Sequence, residues 1–464
     1  MEEIIYASAS ELARAIRRKE VSSSEVVEAH LARIAEVNPK VNAVVQLTDE
    51  AARTRAREAD EALARGEDWG PLHGVPVTIK DAFEMSGVTS VGGTKGRASF
   101  VPEEDATGVA RFKSAGAVIL GKTNTPEISL AFESDNLVYG RTKNPYDESR
   151  TPGGSSGGEA AAIASGMSPL GLGSDAGGSI RLPAHFCGIA GIKPTSGRTA
   201  RTGHFPPMGG MLDSIWQIGP LARRVEDLWL ALPLLCGNDW RDPTVVPATL
   251  GDPSEVNLKE LRVAFHTDNG IVAPTEEIAR AVGAAAQVLR DAGAEVVEAR
   301  PPIPSNAYEM LLGLYGADSG AGLRMLLMFS GTDETHALMT RLLEIVSAVS
   351  MTTAELEGLV FQLDMWRSQM LSFMRDYDLI LCPPCAREAM PHGTTFDDDN
   401  QTIFTYTMIY NLTGWPGVVV RAGATPGGLP LGAQLVARPW REDVALACAL
   451  EVERALGGWQ RPPL

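Results

Sequence analysis

The sequence predicts an α/β protein built around a sheet, because two kinds of segment alternate along the chain. Short apolar runs such as residues 75–79 and 117–120 are bounded by glycine and proline and are typical of buried strands. Alanine-rich segments such as residues 159–165 are typical of helices that pack on a sheet. The 464 residues, of which 44% are apolar, are enough to bury a large core.

The first 65 residues are predicted to form a layer of helices. Residues 8–11 and 22–25 each carry a serine three positions before a glutamate. This is the spacing of a capping box, in which each side chain accepts a hydrogen bond from a backbone N–H group at the helix start. Apolar residues at positions 27, 31 and 34 then mark one helical face. We therefore expect helices from residue 8 to residue 65.

Further helices are predicted in the second half of the chain. Residues 275–293 have apolar positions at helical spacing and a stop at Gly293, and a strand over 295–297 follows. Eight of the fifteen methionines lie between Met310 and Met374, on segments of helical character. Core packing accounts for such methionines, but methionines also line adaptable apolar pockets. We expect this stretch to form a helical cover over a site.

The composition excludes several classes of function. A net charge of −17 repels phosphate backbones and anionic lipid headgroups, so we expect neither a nucleic acid nor a membrane as partner. The five cysteines are odd in number and lie mostly in apolar runs, which disfavours a disulfide framework and fits the cytoplasm. No stretch approaches 18 uncharged apolar residues, so no membrane span is expected.

Three patterns that would indicate a cofactor lack the required context. Residues 116–123 match the P-loop expression, but a P-loop follows its strand, and here the residues between the glycines are themselves the strand. Residues 382–385 have Cys-x-x-Cys spacing but lie in a proline-rich exit from the strand 379–381. The seven histidines show no metal-ligand spacing. We therefore expect no cofactor and no metal.

A fourth pattern, residues 153–157, fits the Gly-x-Ser-x-Gly nucleophile elbow of Ser-His-Asp hydrolases. Such an elbow follows a strand directly, whereas residues 147–152 read as a polar turn. None of the seven histidines lies in a supporting motif. This alternative therefore has little support.

Two glycine- and serine-rich runs, residues 153–158 and 171–179, flank a short alanine-rich helix. Glycine lets backbone N–H groups approach a ligand closely, and several N–H groups that point into one concavity stabilise an oxyanion. Ser179 ends the second run, where an attacking oxygen would have to lie. The two runs together favour an acyl-transfer site.

A hydroxyl nucleophile needs a base, and Lys80 is the candidate. It ends the apolar strand 75–79 and precedes Asp81. Burial disfavours an ammonium ion and lowers the lysine pKa, so a lysine at the end of a buried strand can serve as a general base.

These segments resemble, in order and spacing, the signature of the amidase signature hydrolases. The matching residues are Lys80–Asp81, 153–158 and 173–181, and the similarity is densest over 72–198. The resemblance implies an α/β/α sandwich with a central mixed sheet, N-terminal helices and a helical cover over the site. It further implies one domain over residues 1–464, with an N-terminal helical layer (1–65), a catalytic core (66–240) and a variable substrate-binding region (300–411).

The resemblance also implies residue roles. Ser179 would be the nucleophile, Lys80 the base, and Ser155 a relay serine held by a cis peptide bond. The oxyanion would be bound by the backbone N–H groups of Ala176, Gly177, Gly178 and Ser179, and the supporting side chains would be Ser156, Asp175 and Arg181.

The function implied is that of a serine hydrolase that cleaves amide C–N bonds in small, uncharged, apolar substrates through an acyl-enzyme. Aryl esters and carbamates are expected as further substrates, so the partner is a small amide, ester or carbamate and the protein a monomer or homo-oligomer. The alternatives are a transamidase component that acts on aminoacyl-tRNA, which the charge of −17 disfavours, and a non-catalytic binding protein. Substrate contacts are expected from Met325, Met328, Tyr315, Phe361, Trp366 and Phe373.

Overall fold

The computed structural model describes residues 2–207 and 210–464. Its α-helices, in chain order, are α1 (Glu2–Tyr6), α2 (Ala9–Arg17), α3 (Ser23–Val41), α4 (Asp49–Ala64), α5 (Thr107–Ser114), α6 (Gly157–Ala164), α7 (Arg181–Cys187), α8 (Val225–Leu235), α9 (Glu276–Asp291), α10 (Ala307–Gly316), α11 (Ala321–Phe329), α12 (Ala337–Ser347), α13 (Thr353–Phe373), α14 (Thr405–Leu412) and α15 (Glu442–Leu456). Its strands are β1 (Val44–Leu47), β2 (Pro76–Lys80), β3 (Val118–Thr123), β4 (Leu170–Asp175), β5 (Ala190–Lys193), β6 (Gln217–Ala222), β7 (Arg262–Phe265), β8 (Glu295–Glu298), β9 (Leu379–Cys382), β10 (Gly417–Ala424) and β11 (Pro430–Ala437).

These strands form one sheet in the order β1-β3-β2-β4-β6-β5-β10-β11-β9-β7-β8. The pairs β2/β3, β2/β4, β7/β8 and β7/β9 are parallel, and the other neighbours are antiparallel. The sheet is therefore mixed, which confirms the predicted α/β fold class and its central mixed sheet.

The N-terminal helices begin as predicted, with one correction. Ser8 and Ser22 cap α2 and α3 in complete capping boxes. Residues 44–47, however, form strand β1, which pairs antiparallel with β3 at the edge of the sheet. Helix α3 ends because Asn42 adopts a left-handed conformation with φ of 56°, and the β-branched pair Val44 and Val45 then suits an extended chain.

The sheet lies between two layers of helices. Successive residues of a strand point to opposite faces of the sheet, so each strand packs against both layers. Ile119 and Val418 belong to an apolar cluster with residues of α2, α5, α8, α9 and α15. Their neighbours Val118 and Val419 pack on the other face, in clusters with α3 and α4 and with α6 and α7. The predicted helix over 275–293 is α9, which is capped by Thr275 and followed by Gly293 at a φ of +99°. None of the helices in the described ranges combines the length and apolarity needed to cross a bilayer.

The stretch from Met310 to Met374 is helical, as predicted, and consists of α10 to α13. Helices α10 and α13 pack with α14 in a second large apolar cluster, and α11 and α12 contribute to a smaller one. The predicted helical stretch is therefore confirmed, and α10 and α12 are the two of its helices that lie over the candidate site.

Candidate active site

Parallel pairing brings together the carboxyl ends of β2 and β4. Ile79 is paired with Leu172, so Lys80 at the end of β2 lies beside the last residues of β4. The glycine-rich turn 176–179 follows β4 at once, and Ser155 and Ser156 directly precede α6. The sequence thus places both glycine and serine runs at one edge of the sheet, beside Lys80.

Lys80 is completely buried, and within the described residues its side chain hydrogen-bonds only to hydroxyl groups. Its Nζ atom lies 2.6 Å from Ser155 Oγ and 3.0 Å from Ser174 Oγ. Burial lowers the pKa of Lys80 to about 7, although the charges of Asp175 and Glu159 oppose this shift. The buried Lys122, in contrast, forms an ion pair with Asp81 at 2.6 Å. Lys80 is thus able to be neutral near pH 7.

Ser155 and Ser156 occupy a tightly packed turn. The peptide bond between Gly154 and Ser155 is cis, as the resemblance implies. A Cβ atom on Gly154 would lie 2.5 Å from the carbonyl oxygen of Ala131, so only glycine fits. The Ser156 N–H group donates to the Ser179 carbonyl oxygen at 3.1 Å and connects the two loops.

Asp175 organises the turn that carries Ser179. Arg181 donates to both carboxylate oxygens, with Nε–Oδ2 and Nη2–Oδ1 distances of 2.9 Å. Burial would raise the pKa of Asp175, but Arg181 and the side-chain amide of Asn411 hold it well below its usual range. The Asp175 carboxylate therefore stays charged and fixes the turn.

The same carboxylate corrects one expectation about the oxyanion donors. The Gly178 N–H group donates to Asp175 Oδ1 at 2.8 Å, so it is occupied by the carboxylate that caps the turn. The N–H groups of Ala176, Gly177 and Ser179 have no acceptor within residues 2–207 and 210–464. Three of the four predicted donors are therefore free to bind an oxyanion.

Ser179 lies at the wall of a small cavity. The residue is 7% exposed, and its hydroxyl group has no hydrogen-bond partner in the described part of the chain. The hydroxyl groups of Ser155 and Ser179 are therefore not joined by a hydrogen bond in this structure. Catalytic hydrogen bonds are often long before substrate binds.

The cavity beside Ser179 has a volume of about 90 Å³ and is walled mainly by apolar side chains. None of its described lining residues carries a charge. They are Ser129, Leu130, Ala131, Phe132, Ala176, Gly177, Ser179, Tyr308, Leu311, Leu312, Tyr315, Leu342, Ile345, Phe396 and Met408.

Of the six substrate contacts expected from the cover, Tyr315 and Met325 line the cavity or the groove beside it, and the other four do not. Tyr315 lines the cavity and Met325 lines the larger groove beside it, whereas Met328 is 64% exposed and lines neither. Phe361, Trp366 and Phe373 lie on α13 and do not line the cavity either. The helices α10 and α12 face the site, because their apolar residues pack inward over Ser179.

Two neighbours of Lys80 were missed by sequence reasoning. Ser174 lies within the glycine-rich run 171–179. A hydroxyl residue near the end of a predicted strand is placed to contact a lysine at the end of a neighbouring strand, and this pattern could have indicated Ser174 as a partner of Lys80. His204 Nε2 lies 2.8 Å from Ser174 Oγ, and no motif in the sequence marks it.

The structure bears on two motifs that the sequence offers for other functions, the P-loop expression and the nucleophile elbow. Strand β3 includes Gly121, Lys122 and Thr123, so these residues cannot form a phosphate-binding loop. In the described ranges no histidine hydrogen-bonds to Ser155 or Ser179, which argues against a Ser-His-Asp triad.

Comparisons with known proteins agree with this architecture. The Amidase family model matches residues 25–446. A glutamyl-tRNA(Gln) amidotransferase subunit of Roseiflexus sp. (strain RS-1) is 35% identical, over 98% of this chain and 97% of that protein. Fatty acid amide hydrolase superposes with a TM-score of 0.87 at 27% identity, over 98% of this chain and 86% of that one. A bacterial aryl acylamidase of the amidase signature family has a TM-score of 0.86 at 26% identity, over 97% and 96%.

The chain has an α/β fold that it shares with a solved amide hydrolase. The family match and the identity of 35% over nearly the whole length specify it further. The chain belongs to the amidase signature family, whose enzymes act on amides. The resemblance inferred from the sequence motifs is thereby confirmed.

Proposed function

We propose that this chain is a stand-alone amide hydrolase for small, uncharged, apolar substrates, with Ser179 as nucleophile, Ser155 as relay and Lys80 as base. The observation that carries the proposal is the 2.6 Å contact between Ser155 Oγ and the buried Lys80 Nζ, which has no carboxylate partner in the described residues. A lysine kept neutral by burial beside a serine chain is suited to accept a proton from a nucleophile.

The mechanism follows from this arrangement. As Ser179 Oγ forms a bond to the substrate carbonyl carbon, its proton passes to Ser155 Oγ, and the Ser155 proton passes to Lys80 Nζ. The relay then returns a proton to the leaving nitrogen, and the C–N bond breaks. Water, deprotonated through the same relay, attacks the acyl-enzyme and releases the acid and Ser179.

The negative charge that develops on the carbonyl oxygen would be stabilised by the free N–H groups of Ala176, Gly177 and Ser179. Removing one such donor typically costs about 3 kcal/mol of transition-state stabilisation. Asp175 and Arg181 hold these groups in place through the carboxylate contacts to the turn, and Ser156 joins the turn to Ser155.

The cavity supports the substrate class. Because its described walls are uncharged and largely apolar, a charged group placed there would lose its hydration without a partner. A larger groove of about 730 Å³ shares Leu130 and Tyr315 with it and offers room for the bulkier half of a substrate. Esters and carbamates present the same kind of carbonyl, and we include them as substrates.

A matched pair of methionine variants tests the cavity. Met408 is 3% exposed and lines the cavity, whereas Met328 is 64% exposed. We expect Met408→Ala to shift the ratio of kcat/KM for longer over shorter acyl groups by about tenfold, the usual effect of one or two methylenes in an apolar pocket. Met328→Ala should leave the ratio unchanged. Equal ratios in both variants, measured on folded protein, would contradict the assignment.

A second candidate function is that of a transamidase component. The relative of Roseiflexus, at 35% identity over 97% of its length, is named for amide transfer to glutamyl-tRNA(Gln) and is described as one part of a larger enzyme. Two observations stand against this role. The net charge of −17 disfavours binding to RNA, and the uncharged walls of the cavity give no partner to the charges of a free amino-acid amide donor.

We propose that the protein is cytoplasmic, since all five cysteines are free.

Kinetics on the purified chain alone distinguish the two functions. We expect turnover of an uncharged aryl amide and of its matched ester and carbamate without any added protein. Glutamine should be a poor substrate, and glutamyl-tRNA should not stimulate its hydrolysis. Activity that requires other proteins, or a preference for glutamine, would favour the transamidase function instead.

A further inference from the structure

We propose that His204 is a positioning residue, which acts through Ser174 to orient the Lys80 amine so that its lone pair faces Ser155. The inference rests on the proposed function, because it concerns the same base. His204 touches neither Ser155 nor Ser179 by a hydrogen bond within the described residues, so its effect must pass through Ser174.

The three side chains form a continuous buried chain of contacts. Lys80 Nζ lies 3.0 Å from Ser174 Oγ, and Ser174 Oγ lies 2.8 Å from His204 Nε2. Lys80 and Ser174 are at most 1% exposed, and His204 is 4% exposed. At this burial the hydrogen bonds between these side chains are stronger than they would be in water.

The direction of each hydrogen bond follows from the partners of the His204 ring. Nδ1 lies 3.2 Å from the carbonyl oxygen of Pro206, which can only accept, so Nδ1 carries the proton. Burial is the main cause that lowers the pKa of His204 well below its ordinary value; Lys80, when it is protonated, and Arg201 lower it further, so the ring is neutral. Nε2 is therefore an acceptor, and the Ser174 hydroxyl group donates to it.

This direction decides how Lys80 must face. With its proton on His204, the Ser174 oxygen offers only lone pairs to Lys80, so it accepts one N–H of the amine. A neutral amine has two N–H groups and one lone pair, and the lone pair is then left for the Ser155 hydroxyl at 2.6 Å. Without His204 the Ser174 proton is free to turn to Lys80 and compete with Ser155 for the lone pair.

Two aromatic rings hold the imidazole in place. Phe83 meets it edge to face at a centroid distance of 4.9 Å, and Trp216 does so at 5.1 Å. Phe83 also forms a backbone bridge with His204. A phenylalanine at position 204 would keep this packing and remove only the hydrogen bonds.

The test uses wild type, His204→Phe and His204→Gln, with steady-state kinetics on an aryl amide and the rate at which a fluorophosphonate labels Ser179. We expect His204→Phe to lower both kcat and the labelling rate by about tenfold or more, with KM within about twofold of wild type, because proton transfer and not binding is affected. His204→Gln keeps an acceptor oxygen and should recover most of the loss.

Ser174→Ala breaks the same chain of contacts from Lys80 to His204 without changing the aromatic packing. It therefore tests the proposed role of His204 even if His204→Phe does not fold. It should lower the labelling rate as His204→Phe does, and the double variant should add less than about twofold, since both changes break one chain of contacts. Labelling at the wild-type rate in either folded single variant would overturn the inference. If wild type itself were not labelled at Ser179, the proposed function would fail instead.

His266→Phe is the matched control. His266 is also 4% exposed, and its Nδ1 also bonds to the carbonyl oxygen two residues on, that of Asp268, at 3.1 Å. Its Nε2 has no hydrogen-bond partner in the described residues, so His266 orients no side chain of the site through this atom. We expect wild-type kcat and labelling from this variant, and a loss equal to that of His204→Phe would count against a specific role for His204.

Discussion

Ser179→Ala is expected to remove almost all turnover, by at least about 10⁴-fold in kcat, because no other described group in the cavity is a nucleophile aligned with the free N–H groups. The fold should be unaffected, since the Ser179 hydroxyl group makes no hydrogen bond within the described ranges. Initial rates on an aryl amide, together with a melting curve, measure both effects.

A second serine variant serves as control for this experiment. Ser165→Ala removes a buried hydroxyl at the end of α6, away from the cavity, which among the described residues bonds only to the Ala161 carbonyl oxygen. It should keep wild-type kcat. Residual activity of Ser179→Ala above about one per cent of wild type is incompatible with a covalent role of Ser179, given the loss expected when a nucleophile is removed.

Lys80→Arg and Lys80→Ala are both expected to be inactive, because arginine stays protonated and alanine offers no base. In wild type, kcat/KM should rise with pH through about 7, where the buried Lys80 loses its proton. The sign follows from the neutral amine being the active form, so activity is lost as the pH falls below this value. A pH–rate profile from pH 5 to 9 measures it.

Lys122→Arg is the control that distinguishes the loss of the base Lys80 from the general effect of replacing a buried lysine. Lys122 is also fully buried but pairs with Asp81, and arginine can keep that ion pair. We expect most of the activity to remain in this variant, with an unchanged pH profile. An active Lys80→Arg variant would exclude Lys80 as the base, whatever the profile of wild type.

The local parts of the site could be predicted from sequence, because they lie on short contiguous segments. Lys80 ends a strand whose apolar residues indicate its burial, and the two glycine runs flank one helix. The roles assigned to these residues stay predictions until the variants are measured, and so does the division of the chain into 1–65, 66–240 and 300–411.

Other parts depend on tertiary packing and could not be predicted. Helices α10 and α11 both carry apolar residues on all sides, so their periodicity does not indicate which helix faces the site. In the structure α10 faces Ser179, whereas Met328 on α11 faces solvent. Met408 reaches the cavity from α14, far along the chain. His204 meets Ser174 only because the turn after residue 200 folds over the end of β4. Strand β1 was missed because four residues between two helices carry little periodic signal.

The central claim is that Ser179 carries the acyl group during turnover, and peptide mass spectrometry of the trapped enzyme tests it most directly. The enzyme is mixed with an activated aryl ester, quenched in acid within the first turnover, and digested. We predict one acyl group per chain on the peptide containing Ser179, and none on that peptide in Ser179→Ala. An acyl group on Ser155 or Ser156, or a burst of product with no acylated peptide, would contradict the claim.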